Sequence, residues 1–242
     1  MTAKDHYAFH LAHFYSWMIG DFSEKQKAQE EFFSRNGIAP IRNNIAIDLG
    51  AGNGLQSVSL AKLGFEVIAV DFNSHLLDEL QINKKDLNVT LVCDDMISFL
   101  EKFDRSADAI VCMGDTITHL ETSDHLETLL KKISECLLPG GKLVISFREL
   151  IIELKGEDRF IPVRNDSNKI LTCFLEYFPN HVLVHDILHE RQLDKWIQKV
   201  SCYPKLRLSE AGIASILERN SIKVLSVQRL SGMIYLVGQK TN

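Results

Sequence analysis

Between residues 45 and 147 short apolar runs alternate regularly with segments of helix length. IAIDLG (45–50), FEVIAVD (65–71), NVTLVCD (88–94), ADAIVCMG (107–114) and KLVISF (142–147) each read as a strand. Between them, residues 54–63, 74–83, 96–103 and 123–138 read as helices, the last stopped by Pro139, Gly140 and Gly141. Strands joined by helical crossovers pair in parallel, and a parallel sheet is stable only with both faces covered. The pattern predicts an α/β fold around a mostly parallel sheet.

Outside that frame the texture changes. Residues 6–36 read as helical, first aromatic and apolar (HYAFHLAHFYSWMIGDF), then polar and amphipathic. Ser23 with Gln26 gives a capping-box start, and Gly37 a stop. Pro40 then leads into the first strand. From 151 to 207, KILTCFLEYF (169–178) and HVLVHDIL (181–188) flank Pro179-Asn180 and predict an antiparallel hairpin, hence a β insertion after the fifth strand. A helix over 208–219, opened by Ser209 and Glu210, precedes a final strand pair around Ser231-Gly232. The expected layout is one domain over 1–242: an N-terminal helical segment (1–37), a ligand-binding core (40–150), the insertion (151–207) and a closing helix and hairpin (208–242).

Composition narrows the function. A chain of 242 residues, 45% hydrophobic and 24% charged, is long enough to bury a core without disulfides. Its net charge of -5 argues against an obligate nucleic-acid binder, which needs clustered Lys and Arg. The five cysteines are scattered with no C-x-x-C, so reduced thiols and a cytoplasmic location are expected. No apolar run is long enough to span a membrane, and Asp5, His6 and His10 interrupt any leader-like start. His181, His185 and His189 share one face of a strand but span about 13 Å at ~3.3 Å per residue, so no metal site is expected. Lys195, Lys199, Lys205 and Arg207 form the one basic stretch. It reads as a solvated face or as a contact for an anionic acceptor or RNA.

The first strand runs into Asp48-Leu49-Gly50-Ala51-Gly52-Asn53-Gly54 and then a helix. Glycines there allow a sharp turn and close approach of a ligand. Leu55 occupies the third-glycine position of the dinucleotide fingerprint, and the G-K-[ST] of a P-loop is missing. Asp48 would repel a pyrophosphate and attract an ammonium. The second strand ends at Asp71, suited to a ribose diol. The third ends in Asp94-Asp95-Met96, which offers an acceptor for an adenine amine and apolar contact for its ring. An ammonium, a ribose and an adenine without phosphate describe S-adenosylmethionine.

IAIDLGAGNG, the acid after VIAV, DDM and LLPGGKLVIS together resemble the class I S-adenosylmethionine-dependent methyltransferases over roughly 40–150, and more weakly over 208–242. The resemblance implies a Rossmann-like seven-stranded sheet with a reversed last hairpin, an N-terminal helical lid and S-adenosylmethionine as cofactor. It implies that Asp48, Gly50, Ala51, Gly52, Asn53 and Gly54 face the methionine part. Asp71 and Phe72 fall at the ribose, Asp94 or Asp95 with Met96 at the adenine, and Met113 and Gly114 after the fourth strand.

The segment CMGDTITHL (112–120) lacks the [DN]-P-P-[YF] of exocyclic-amine nucleic-acid enzymes. It resembles the G-[ND]-S-F-x-H-L texture of small-molecule N- and O-methyltransferases related to the glycine N-methyltransferase group. His119 and Asp115 are the candidate catalytic residues. Tyr15 and Trp17 on the lid, and Arg148 at the end of strand five, are candidate acceptor contacts; Arg148 would grip a carboxylate or pair with Glu149. The expected partner is a small-molecule acceptor, with no nucleic acid and no membrane, and a homodimer left open. The alternatives are an RNA or protein methyltransferase using 195–207, and a non-catalytic S-adenosylmethionine-binding protein. Leu55 and Asp48 disfavour an NAD(P) oxidoreductase.

Overall fold

A computed structural model describes residues 2–241. Met1 and Asn242, the ends of the expected 1–37 and 208–242 segments, lie outside the described residues. The chain opens with α1 (Ala3–Phe9), a 3-10 turn (Leu11–Phe14), α2 (Tyr15–Ile19) and α3 (Phe22–Arg35). The αβ frame follows as β1 (Ile45–Leu49), α4 (Leu55–Lys62), β2 (Glu66–Asp71), α5 (Ser74–Asn83), β3 (Val89–Cys93), α6 (Met96–Lys102), β4 (Ala107–Cys112), α7 (Ser123–Cys136) and β5 (Leu137–Phe147). Then come β6 (Phe160–Asn165), β7 (Lys169–Tyr177), β8 (His181–Gln192), β9 (Lys195–Leu206), α8 (Glu210–Arg219), β10 (Ile222–Leu230) and β11 (Met233–Lys240).

The main sheet has seven strands in the order β10-β11-β5-β4-β1-β2-β3. β1 through β5 pair in parallel, whereas β11 runs antiparallel to both β5 and β10, as expected of a reversed last hairpin. Alternate residues of each strand feed two cores. Ile45, Ile47 and Leu49 pack with Leu126, Leu129 and Leu130 of α7 and with Leu217 of α8. Ala46, Val67 and Ala69 pack on the other face with Phe33 of α3, Leu60 of α4 and Leu80 of α5. Order reversal between β1 and β4 leaves a crevice outside the carboxyl ends of the strands, where such sheets bind ligands.

The insertion is a four-stranded antiparallel sheet, β6-β7-β8-β9, twice the predicted hairpin. Its two edge strands carry Pro162 and Pro204, and most of β6 and the first half of β9 are exposed. Proline is tolerated at an edge because no ladder bond is lost there, and the weak apolar signal hid both strands. The opening segment also departs from one continuous helix. Gly20, at φ +92°, breaks it, and the Asp21 side chain, not Ser23, caps α3 by accepting from the Glu24 N–H at 2.7 Å.

The inner face of the insertion sheet covers the opening segment. Leu11 and Phe14 pack with Leu171 and Leu188, and Ala3 with Leu175, Val182 and Val184. At the centre, the fully buried His6 pairs Nε2 with Asp186 Oδ2 at 2.9 Å and Nδ1 with Ser201 Oγ at 2.8 Å. No helix among the described residues is long and apolar enough to cross a membrane.

Candidate cofactor and acceptor site

A cavity of about 890 Å³ opens at the carboxyl edge of the parallel strands. Gly50 and Gly52 form its floor. Their φ angles of +73° and +53° are open to glycine and strained for other residues. The Gly50 and Ala51 N–H groups donate to Val70 O at 2.8 and 3.0 Å, which fixes the loop to β2. Asp48, Ala51, Asn53 and Gly54 are buried and do not line the cavity.

Asp48 is buried and accepts from Ser57 Oγ at 2.6 Å. Burial pushes its carboxyl up to about 7, with the charge of Asp71 adding to the effect. A folded-state value above the unfolded one favours the fold at low pH and ceases to do so as pH rises through about 7. Asp48→Asn keeps a partner for Ser57 and removes that pH dependence. In urea unfolding, its stability relative to the wild type should be higher at pH 8 than at pH 5 by roughly 2 kcal/mol. An equal difference at the two pH values would contradict this assignment.

Asp71 ends β2 in the cavity wall. Its Oδ2 accepts from Gly52 N–H and its Oδ1 from Asn73 N–H, each at 2.8 Å. Burial raises its carboxyl while these N–H donors oppose the shift. Phe72, Asp94, Asp95, Met96 and Gly114 line the same cavity. Asp95 caps α6 by accepting from Ile97 and Ser98 N–H, whereas Asp94 pairs with Lys102 at 2.9 Å. Met113 does not join them. It is buried in the second core, with its sulfur facing the Gln29 amide.

The roof comes from the N-terminal segment. The Tyr15 ring lies over the loop, so that a Cβ on Gly52 would meet its hydroxyl at 3.5 Å. Tyr7, not singled out from the sequence, sits between Tyr15, Phe72 and His119 at ring separations of 6.3, 5.7 and 5.5 Å. Its position eight residues before Tyr15, on the same aromatic stretch, was the available signal. Trp17 is turned away from the cavity. Its Nε1–H donates to Asp166 at 2.5 Å, and Arg164 lies over its ring, so it ties the lid to the insertion.

His119 lines the cavity at the end of a 3-10 turn, Thr116–His119. Its Nε2 lies 3.4 Å from the Tyr7 hydroxyl, and its Nδ1 is buried with no hydrogen-bond partner among the described residues. Burial and the Lys205 ammonium push its basicity down to about 3, so the ring is neutral at physiological pH.

Asp115 is outside the cavity wall. It accepts from the Arg148 N–H at 2.8 Å, from the Arg148 guanidinium at 3.3 Å and from Lys205 Nζ at 2.5 Å. Burial alone would raise its carboxyl, but Lys205 and Arg148 overcome this and hold it at about 2. An anion so held is a poor general base. Arg148 therefore pairs with Asp115, and Glu149 instead accepts from the Glu210 N–H at the start of α8. The basic stretch is largely neutralised: Lys199 pairs with Glu190, Lys205 with Asp115 and Arg207 with Glu153.

Residues 46–141 match the family model described as a methyltransferase domain. With this sheet order and a glycine floor beside a strand-end acid, residues 46–141 form a methyltransferase domain of the class I S-adenosylmethionine-dependent type. Among curated proteins it is 30% identical to the carboxy-S-adenosyl-L-methionine synthase of Shewanella denitrificans over 122 residues, 47% of each chain. It is 32% identical to the ubiquinone biosynthesis O-methyltransferase of Coxiella burnetii over 108 residues, 44% of each. The matched region spans less than half the length of these relatives. Among solved structures, the CcbJ methyltransferase of Streptomyces caelestis shares the fold at a TM-score of 0.78 and 16% identity, over 98% of both chains. CalS10, an amino pentose methyltransferase of Micromonospora echinaspora, does so at 0.73 and 15%, over 92% of both.

Proposed function

We propose that this chain transfers a methyl group from S-adenosylmethionine to an uncharged amine nitrogen of a small molecule. The observation that carries the choice of nitrogen is the unpartnered Nδ1 of His119, a cavity-wall ring that burial keeps neutral, beside an Asp115 held as an anion. S-adenosylmethionine supplies a methyl group already activated on a sulfonium, so positioning and exclusion of water carry most of the rate. A hydroxyl acceptor needs a base in that position, and neither His119 nor Asp115 is basic enough. A neutral amine already presents a lone pair, and His119 Nδ1 can orient it by accepting one of its N–H bonds.

The remaining residues hold the cofactor and close the site. Asp71 has a further lone pair on each oxygen for a ribose hydroxyl. Asp95 and Met96 border the adenine position, Gly50 and Gly52 admit the methionine part, and Tyr7 and Tyr15 cover it. The finer resemblance to the glycine N-methyltransferase group, an acceptor that is not nucleic acid and a single-domain layout belong to the same proposal. So does a cytoplasmic location, supported by five free cysteines. The likeness to CalS10, an amino pentose methyltransferase, supports a small amine-bearing acceptor, and the pairing of the basic stretch counts against RNA.

Calorimetry with S-adenosylmethionine, S-adenosylhomocysteine and NAD in parallel tests the cofactor. The first two should bind and NAD should not; the reverse would sink the reading. A panel of small amines and matched alcohols then tests the acceptor, and methylation of alcohols alone would exclude the nitrogen assignment. On an amine substrate, His119→Ala should slow transfer at least tenfold. Cofactor affinity should stay within about threefold of the wild type, a shift of roughly 0.6 kcal/mol.

A further inference from the structure

Three consecutive residues at the end of β9 reach the catalytic edge from outside the αβ frame. Tyr203 stacks on His6 at 4.1 Å and lies 5.4 Å from the His119 ring. Pro204 lines the cavity. The Lys205 side chain, 10% exposed, places its ammonium 2.5 Å from Asp115 Oδ2. Asp115 opens the turn that ends in His119, in a left-handed conformation at φ +77° that a non-glycine residue holds only when its surroundings fix it. Its carbonyl accepts from the Thr118 N–H at 3.0 Å and the Thr118 hydroxyl at 2.6 Å, and its N–H donates to Ser146 O at 3.1 Å. Its other charged partner, Arg148, is half exposed, so Lys205 is the buried cation of the pair.

We infer that Lys205 is a positioning residue: by clamping Asp115 it fixes the Thr116–His119 turn and presents His119 to the acceptor. This rests on the role of His119 proposed above. Lys205 does not line the cavity, so it acts through Asp115 and not on the acceptor. It also makes the insertion sheet part of the active site, since the clamp is anchored in β9. The charged and titratable groups around His119 are Tyr7 and His6 of α1, Asp186 of β8, Tyr203 and Lys205 of β9, and Asp115 with Arg148. Among them Lys205 disfavours a charged His119 most, and Asp115 opposes it.

The test is side-chain NMR of the His119 ring in full-length protein saturated with S-adenosylhomocysteine, with calorimetry of that ligand on each variant. Lys205→Met should displace the His119 resonances and raise its titration midpoint by at least one pH unit, with affinity for S-adenosylhomocysteine within threefold. Lys205→Arg should restore the wild-type signals. Because Lys205→Met strands the Asp115 charge, the double variant Lys205→Met/Asp115→Asn removes both charges and keeps the test available if the single variant does not fold. Its His119 resonances should be displaced or broadened. Wild-type resonances and midpoint in the folded single variant, or wild-type resonances in the double variant, would overturn the inference. A wild-type protein that fails to bind S-adenosylhomocysteine defeats the functional reading instead. The same NMR series on unliganded protein then still decides the role of Lys205.

Discussion

Gly50→Val should abolish S-adenosylmethionine binding, raising the dissociation constant more than a hundredfold, or about 2.7 kcal/mol. Two effects act together. The backbone there is at φ +73°, where a β-branched residue is strongly disfavoured. A Cβ on Gly50 would also overlap the Thr116 side chain, on the turn that carries His119. Either the loop or the turn must then shift, and both line the cavity. Gly37→Ala is the control for strain alone, because Gly37 is at φ +66° with open space around it and does not line the cavity. It should lose some stability and keep cofactor affinity. Calorimetry on both variants decides, and Gly50→Val binding within tenfold of the wild type would show that the loop is not the floor. Gly52 is the less sensitive of the two floor glycines, since a Cβ on it meets the Tyr15 ring at ordinary contact distances of 3.5–3.7 Å.

Asp115→Ala should lower the stability of the fold by about 3–5 kcal/mol, the usual consequence of removing one partner of a buried ion pair. Lys205 would be left buried without its counterion, and the Arg148 N–H would lose its acceptor. Alanine is also poorly suited to φ +77°. The sign with pH is fixed by a folded-state value depressed to about 2 from 3.8. The stabilisation is fully present above about 4 and is lost as pH falls through 2. Urea unfolding at pH 7 and at pH 3 should therefore show a smaller gap between wild type and variant at the lower pH. A loss below about 1 kcal/mol at pH 7 would mean that the ion pair is not formed in solution.

The parallel frame was readable because its strands are mostly apolar runs separated by segments of helix length. β1 and β4 are buried at every position, and α5 spans the predicted range. The same reasoning brought Gly50, Gly52, Asp71, Asp94 and Asp95 to one cavity, because strand ends in such a sheet must meet at one edge. It found Tyr15 in the roof but not Tyr7 or the part that β9 adds. β9 carries lysines and a proline on an edge, so its pattern resembles a solvated loop. The burial of Lys205 depends on Asp115, which lies 90 residues earlier. Met113, Trp17 and Arg148 have chemistry suited to a binding site, but packing turns the first into the core and pairs the others with Asp166 and Asp115. Residue type was a good guide to what each side chain could do and a poor guide to which way it points.

The contact between His6 and Ser201 joins residues 195 positions apart. On a ribosome adding about 5–20 residues per second, the N-terminal aromatic segment waits roughly 10–40 s for the strand that covers it. During that interval Leu11, Phe14 and their neighbours have no apolar partner from the insertion. The parallel strands, made in between, can close first and display an open glycine floor. Completion of the catalytic chamber is thus among the last events of biosynthesis, and a chain released before β9 would carry a cofactor platform with no acceptor side.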